Sequence, residues 1–230
     1  MLRLDKVNSF YGRSQALHNL SIEIPDNSIF AILGRNGVGK TTLLRTVLGL
    51  TDRAEGTILL DETDLTGMPT HRRARAGIAY VPQGRMIIPD FSIKDNILMG
   101  GFAAKADRKI PDLVPELFPY LTDNLDRPGG VLSGGQQQQL AIARALASEP
   151  KILLLDEPTE GIQPNIVEQI ETCILRLNQE LNLTIVLVEQ NVSFAQRSAS
   201  HFSMIENGTS VVHGQIGMLN EELVSKHMTI

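Results

Sequence analysis

The sequence predicts an α/β fold in which a sheet of short apolar strands carries helices and is interrupted by one longer helical segment. Ile29–Leu33 is a short apolar run of strand type, and Thr42–Leu50 follows it with the apolar spacing of a helix. A second buried-strand run, Ile152–Asp156, comes after a helix-rich stretch between about Gly84 and Ala147. The predicted helices of that stretch are Ser92–Met99, Ile110–Leu117 and Gln136–Ala147. Strands that alternate with helices in this way are typical of a parallel sheet covered by helices.

The chain begins with residues of β type. Leu2–Val7 and Leu20–Ile24 alternate apolar and polar residues as strands do, and the turn residues Pro25–Asn27 close the second run. Thr57–Leu60 is predicted to be a further short strand. Tyr11 is expected in a loop between the first strands, where its ring either stacks on the flat ring of a ligand or is simply half-buried.

A phosphate-binding loop is predicted between the first buried strand and its helix. Gly34, Gly39, Lys40 and Thr41 match the pattern G-x-x-x-x-G-K-[ST]. Small residues let backbone N–H groups close around phosphates, and the start of the following helix adds a positive field. We expect Lys40 to reach the β- and γ-phosphates and the Thr41 hydroxyl to ligate Mg²⁺. The candidate nucleotide-binding residues of the loop are Gly34, Arg35, Asn36, Gly37, Val38, Gly39, Lys40, Thr41 and Thr42.

Two carboxylates end the strand Ile152–Asp156. In a doubly wound sheet, ligands bind at the carboxyl ends of the strands. Asp156 is therefore expected to face the Mg²⁺ held by Thr41, and Glu157 to activate the attacking water as general base. The alternative is that Asp156, Glu157 and Pro158 only cap the next helix. The phosphate loop upstream favours the first interpretation.

The run Leu132–Gln136, with the sequence Leu-Ser-Gly-Gly-Gln, opens another helix. Ser133 and Gln136 have the spacing of a capping box. A helix start with two glycines is also a second anion site, although an ordinary N-cap is the alternative. Two such helix starts in one chain indicate that both meet one nucleotide. The candidate residues here are Ser133, Gly134, Gly135 and Gln136.

Composition limits the classes of protein that are possible. The chain has 230 residues, 42% of them hydrophobic, which suffices for one core with a smaller lobe. The formal net charge of −5 argues against a nucleic-acid partner. Charges within Met1–Lys6 argue against a leader peptide, and no apolar run approaches the ~20 residues of a membrane span. Cys173, the single cysteine, is expected to be an inert core residue.

These motifs resemble those of the ATP-binding cassette (ABC) ATPases in order and spacing over nearly the whole chain. The Leu-Ser-Gly-Gly-Gln sequence is specific to that family. The resemblance implies a P-loop NTPase (RecA-like) core with an antiparallel β subdomain and an inserted α-helical subdomain. It implies one ABC ATPase domain over 1–230, with the core and β subdomain at 1–84 and 148–230 and the helical subdomain at 85–147.

The same resemblance implies a head-to-tail dimer that binds ATP and Mg²⁺. Each nucleotide would lie between the phosphate loop of one subunit and the Ser133 segment of the other. Tyr11 then matches the aromatic residue that stacks on adenine. Gln83 matches the glutamine of the Q-loop, where the metal and the transporter contacts are coupled. The implied Mg²⁺ ligands are Thr41, Gln83 and Asp156.

Three longer segments resemble a narrower group. Ala76–Arg85 is similar to the ATPase subunits of branched-chain amino acid and urea importers. Gly134–Leu146 and Asp156–Pro164 look most like an ATPase subunit of urea importers. The resemblance thus implies an ATP-hydrolysing importer subunit, with urea as the expected substrate and branched-chain amino acids as the alternative. A soluble ABC ATPase outside transport is a more distant alternative.

Two positions depart from the wider family pattern. Gln190 stands where a switch histidine is usual, and Gln163 where the D-loop usually carries aspartate. We expect Gln190 to act with Glu157 in catalysis unless it merely caps the next helix. The expected partners are a different ATPase subunit, two membrane permease subunits and, indirectly, a substrate-binding protein, with a homodimer possible in isolation. The expected location is peripheral, at the cytoplasmic face of the inner membrane.

Overall fold

The computed structural model describes residues 1–102 and 109–228, which form two sheets and the helices around them. A four-stranded antiparallel sheet has the order β2-β1-β4-β5, and a six-stranded sheet has the order β10-β9-β3-β8-β7-β6. The strands are β1 Leu2–Tyr11, β2 Ser14–Ile24, β3 Ile29–Leu33, β4 Arg53–Leu60, β5 Thr63–Asp64, β6 Ile78–Val81, β7 Ile152–Asp156, β8 Thr184–Glu189, β9 His201–Glu206 and β10 Thr209–Gln215. The predicted α/β class is confirmed.

Helices cover the larger sheet and form the segment that interrupts it. They are α1 Lys40–Leu48, α2 Thr70–Arg75, α3 Ile93–Gly100, α4 Val114–Leu117, α5 Pro119–Thr122, α6 Gly134–Leu146, α7 Pro164–Leu181, α8 Val192–Ser198 and α9 Glu221–Met228. Apolar residues of α3 to α6 belong to the same buried cluster as residues of the larger sheet. The helical segment therefore shares its core with the sheet. The subdomain boundaries at 84/85 and 147/148 stay a prediction, and 103–108 lie outside the described residues.

The three central strands of the larger sheet, β3, β7 and β8, are buried along their whole length. Successive residues of β3 point to opposite faces: Ala31 and Leu33 pack into one apolar cluster, and Phe30 and Ile32 into the other. Each large apolar side chain buried in this way contributes roughly 1.5–3 kcal/mol. The central strands are therefore packed between two apolar clusters.

This parallel arrangement brings the candidate residues to one edge. Strands β3, β6, β7 and β8 run parallel, so their carboxyl ends lie on the same side of the sheet. The loops that leave those ends contain the phosphate loop, Gln83, Glu157 and Gln190. Residues that are far apart in sequence are thereby collected at a single location.

Several predicted element boundaries are wrong. A helix was expected over Ile110–Leu117, but it begins only at Val114, because Pro111 starts a turn in which its carbonyl accepts a bond from the Val114 N–H. Tyr11 is the last residue of β1 and not a loop residue, since β1 and β2 are longer than the alternation indicated. The predicted alternation of Leu2–Val7 breaks at Lys6, which has a φ of 49° in a β-bulge between β1 and β2.

Cys173 lies on the inner face of α7, where burial raises the pKa of its thiol to about 12. Since the thiolate is the reactive form, we expect the native thiol to react with a disulfide reagent at about pH 8 at least ~10²-fold more slowly than the unfolded chain. Absorbance of the released thionitrobenzoate, with and without guanidinium, measures both rates. Equal rates would contradict the assignment of Cys173 as a core residue.

Candidate nucleotide-binding site

The phosphate loop joins β3 to α1 and requires glycine at its two ends. Gly39 precedes α1 with a φ of 109°, and a Cβ there would lie 3.1 Å from the Leu17 side chain. A Cβ at Gly34 would lie 2.6 Å from the carbonyl oxygen of Ile205. Any larger residue at either position would push the loop away from the strands behind it.

Lys40 lies at the centre of the loop and is only 4% exposed. Its ammonium group donates to the carbonyl oxygens of Gly34 and Arg35, each at 3.0 Å, and pairs with Glu157 Oε1 at 3.2 Å. The loop therefore holds the Lys40 ammonium beside the candidate catalytic carboxylate.

Asp156 accepts two hydrogen bonds from hydroxyl groups, one on each carboxylate oxygen. Thr41 Oγ1 donates to Oδ1 and the Tyr80 hydroxyl donates to Oδ2, both at 3.0 Å. Asp156 is 1% exposed, and this burial raises the pKa of its carboxyl. A threonine hydroxyl beside a carboxylate is the oxygen donor set that Mg²⁺ prefers, so these residues fit the metal. The role of Tyr80 was not predicted from the sequence, where its only signal was one polar hydroxyl within a short apolar strand.

Glu157 and Gln190 are in direct contact. Gln190 Nε2 donates to Glu157 Oε2 at 3.0 Å, although the two residues come from different loops. Glu157 has a φ of 48°, in the left-handed region, and its N–H donates to the carbonyl of Val188 at 2.9 Å. Asn191 caps α8 by accepting from the Phe194 N–H. The alternative in which Gln190 caps this helix is therefore wrong.

The alternative for the two carboxylates is wrong as well. The helix after β7 is α7, which begins at Pro164 with Gln163 as its N-cap residue. Asp156 and Glu157 lie too far upstream to cap it. Their hydrogen bonds go to Thr41 and Gln190 at the sheet edge instead.

A cavity of about 310 Å³ opens at this edge. Its lining includes Gln83, whose amide Nε2 donates to Glu160 Oε2 at 2.7 Å. Tyr11 is at the end of β1, where a hydrogen bond between its hydroxyl and Arg45 of α1 raises the pKa of the guanidinium. Tyr11 is not among the residues that line this cavity, and its stacking on adenine stays a prediction. The lining residues are Asn36, Gly37, Gly39, Lys40, Thr41, Thr42, Gln83 and Glu157.

The Ser133 segment lies elsewhere on the subunit. Ser133 caps α6 through the predicted capping box: its hydroxyl accepts from the Gln136 N–H at 3.3 Å, and Gln136 Oε1 accepts from the Ser133 N–H at 3.0 Å. Ser133 and Gln136 line a separate cavity of about 890 Å³, against α4, α5 and α7. The fold thus collects the phosphate loop, the carboxylates, Gln83 and Gln190, and it leaves the Ser133 segment apart.

Within residues 1–102 and 109–228, no three His, Cys, Asp or Glu side chains lie close enough together to hold a metal ion by themselves. In the same part of the chain, none of the helices has the length and apolar character that crossing a bilayer requires.

The sequence of this chain is similar to the sequences of known proteins. Residues 17–160 match the ABC transporter family. The chain is 43% identical over 215 residues to the high-affinity branched-chain amino acid transport ATP-binding protein BraG of Pseudomonas aeruginosa, covering 93% of this chain and 92% of that protein. It is 35% identical to the "probable branched-chain amino acid transport ATP-binding protein LivF" of Archaeoglobus fulgidus, covering 96% of this chain and 94% of that protein.

A solved structure extends the comparison to three dimensions. The fold is similar, with a TM-score of 0.82 and 25% identity, to a dimeric ATP-binding cassette bound to ADP and phosphate in a post-hydrolysis state. The similarity covers 94% of this chain and 99% of that chain. The predicted cassette architecture is confirmed by this similarity.

Proposed function

The chain belongs to the ABC transporter family as an ATP-hydrolysing importer subunit, and on this basis we propose that it powers the uptake of branched-chain amino acids. The observation that carries the substrate class is the similarity to BraG, which extends over 93% of this chain at 43% identity. LivF supports the same class over a similar length. The expected place of action is the cytoplasmic face of the cell membrane.

Urea, the substrate expected from the sequence alone, is the second candidate. It rests on two segments, Gly134–Leu146 and Asp156–Pro164, which resemble urea importer subunits. The relatives BraG and LivF, by contrast, match over more than nine-tenths of this chain. Import of branched-chain amino acids is therefore better supported than import of urea.

The proposed reaction is hydrolysis of the γ-phosphate of ATP by water. The loop from Gly34 to Thr42 would bind the phosphates through its backbone N–H groups, and Lys40 would move from Glu157 to the β- and γ-oxygens. Mg²⁺, held by Thr41, Asp156 and Gln83, would neutralise phosphate charge. Glu157 would then accept a proton from the attacking water, while the Gln190 amide orients that water and the γ-phosphate.

We further propose that the complete site forms between two ATPase subunits. This proposal is supported by the separation, within one chain, of the cavity that Ser133 lines from the cavity that Lys40 lines. Gln163 in the D-loop supports a partner that is a different ATPase subunit, bound to two permease subunits. Full coupled transport from a complex with this chain as its only ATPase would refute the heterodimer.

Gln190 supplies a test of the site itself. Gln190→Ala should lower turnover roughly tenfold or more and change ATP affinity much less, because the lost contact strengthens as charge develops. Gln190→His should retain activity, since it keeps a hydrogen-bond donor at this position. Steady-state ATP hydrolysis by the purified complex gives both parameters. Wild-type turnover in Gln190→Ala would remove Gln190 from the mechanism.

Uptake by whole cells tests the substrate class. Deletion of the gene that encodes this chain should reduce ATP-dependent uptake of labelled leucine, and a plasmid copy should restore it. A Lys40→Ala copy should not restore it and serves as the matched control. Unchanged uptake of leucine, isoleucine and valine, together with loss of labelled urea uptake, would replace the branched-chain assignment with the urea assignment.

A further inference from the structure

Glu189, the last residue of β8, is a buried carboxylate to which the mechanism above assigns no task. It is 3% exposed and follows a run of five residues that are all buried. Burial raises the pKa of its carboxyl, while hydrogen bonds from the surrounding residues act in the opposite direction. A carboxylate at such a depth is costly unless its oxygens are satisfied by donors. The groups that donate hydrogen bonds to the Glu189 carboxylate therefore indicate its role in the structure.

Each oxygen of Glu189 faces a different loop. Oε1 accepts from the Thr159 hydroxyl at 2.7 Å and from the Thr159 N–H at 3.2 Å. Oε2 accepts from the N–H groups of Gln190 at 3.2 Å and Asn191 at 3.4 Å. The carboxylate thus joins the loop after β7 to the loop after β8.

These two loops carry the proposed catalytic pair. Thr159 is two residues after Glu157, and Gln190 follows Glu189 directly. Glu157 is in the left-handed region, with a φ of 48°, a conformation that persists only where surrounding contacts hold it. The backbone bond from Glu157 N–H to the Val188 carbonyl and the bonds of Glu189 are the contacts that fix this loop against β8.

We propose that Glu189 is a positioning residue that holds Glu157 and Gln190 at their hydrogen-bonding separation. This inference rests on the proposed catalytic roles of those two residues. Glu189 lies beneath both loops and makes its bonds to their backbones and to Thr159, so it acts through Glu157 and Gln190 and does not itself contact the nucleotide. The phosphate loop has no hydrogen bond to Glu189 among the described residues.

Two substitutions at Thr159 form a matched pair for the test. Thr159→Val keeps the shape of the side chain and removes the hydroxyl that donates to Glu189, whereas Thr159→Ser keeps the hydroxyl. Misplacement of reacting groups by about 1 Å can cost ~10²-fold in rate. We therefore expect Thr159→Val to lower kcat for ATP about tenfold with KM within about twofold, and Thr159→Ser to stay within about threefold of wild type.

Glu189→Gln provides a second, independent variant. In Glu189→Gln, an NH₂ group replaces one of the two acceptor oxygens and faces the donors that this oxygen had bound. We therefore expect kcat to fall by at least as much as in Thr159→Val. The effects of Glu189→Gln and Thr159→Val should be less than additive in the double variant, because both weaken the same link between the two loops. Hydrolysis is measured on the complex purified through a tag on this chain. Thermal melts of each variant confirm folding, and fluorescent ATP binding reports the ground state separately.

The outcomes distinguish a failure of the positioning role of Glu189 from a failure of the catalytic role of Glu157. A kcat of wild-type size in Thr159→Val, a matching loss of ATP affinity, or a failure of Thr159→Ser to preserve kcat would overturn the positioning role. Glu157→Gln is measured in the same assay as a reference. If it turns over freely, the catalytic role of Glu157 fails. If it is inactive while Thr159→Val and Glu189→Gln are both fully active, only the role of Glu189 fails.

Discussion

Glu157→Gln is expected to bind ATP normally and to hydrolyse it about 10²–10⁴-fold more slowly than wild type, the range typical of a lost general base. The amide keeps the size of the side chain but cannot accept a proton from water. Because the step after binding is blocked, the protein should accumulate as an ATP-bound dimer. Size-exclusion chromatography with ATP and a single-turnover assay measure the two effects.

The matched control for this variant is Glu62→Gln, which makes the same change in an exposed turn between β4 and β5. It should show wild-type turnover and no ATP-dependent dimer of its own. Free turnover in Glu157→Gln would remove the general base from the account. Slow turnover combined with a large loss of ATP affinity would instead assign Glu157 to nucleotide binding.

Lys40→Ala is expected to cause the other large effect, a loss of ATP binding and hydrolysis of about 10²-fold or more. The change removes the charged contact to the β- and γ-phosphates, and it leaves Glu157, which is 8% exposed, without its ion-pair partner. Equilibrium binding of a fluorescent ATP analogue and hydrolysis by the complex measure the two losses.

Lys151→Ala is the control for Lys40→Ala, because the Lys151 side chain is 64% exposed and pairs with Asp61, away from the phosphate loop. It should bind and hydrolyse ATP as wild type does, since an exposed ion pair contributes little. If Lys40→Ala hydrolyses ATP at the wild-type rate within the complex, the loop from Gly34 to Thr42 does not bind the reacting phosphates.

The parts of the site that could be predicted follow two rules, one on residue spacing within a loop and one on where ligands bind to a parallel sheet. The phosphate loop is one continuous segment, so residue spacing alone predicted it. Thr41 and Asp156 are 115 positions apart, yet both were expected beside one Mg²⁺ because ligands gather at the carboxyl ends of parallel strands, and in the structure they are 3.0 Å apart. Both predictions needed only the order of strands and loops along the chain.

The parts that were missed depend on side-chain contacts between distant elements. Tyr80 is the next-to-last residue of the otherwise apolar strand β6, and only the packed sheet shows that its hydroxyl reaches Asp156 at 3.0 Å. Glu189 has no motif, and its role depends on two loops that meet in space. The full lengths of β1 and β2 were underestimated because Ser9, a polar residue, is buried in β1, and because β-bulges interrupt the pairing of the two strands. No residue pattern in this chain identifies the substrate, and the proposed substrate class rests on the similarity to BraG and LivF.

ATP-driven uptake by proteoliposomes tests the central claim most directly. The complex purified through this chain would be reconstituted with its substrate-binding protein, and labelled leucine and labelled urea would be offered in parallel vesicles. We predict that leucine accumulates only with ATP and Mg²⁺, and that a complex carrying Glu157→Gln accumulates none. Accumulation of leucine by the Glu157→Gln complex, or ATP-driven accumulation of urea without leucine, would contradict the account.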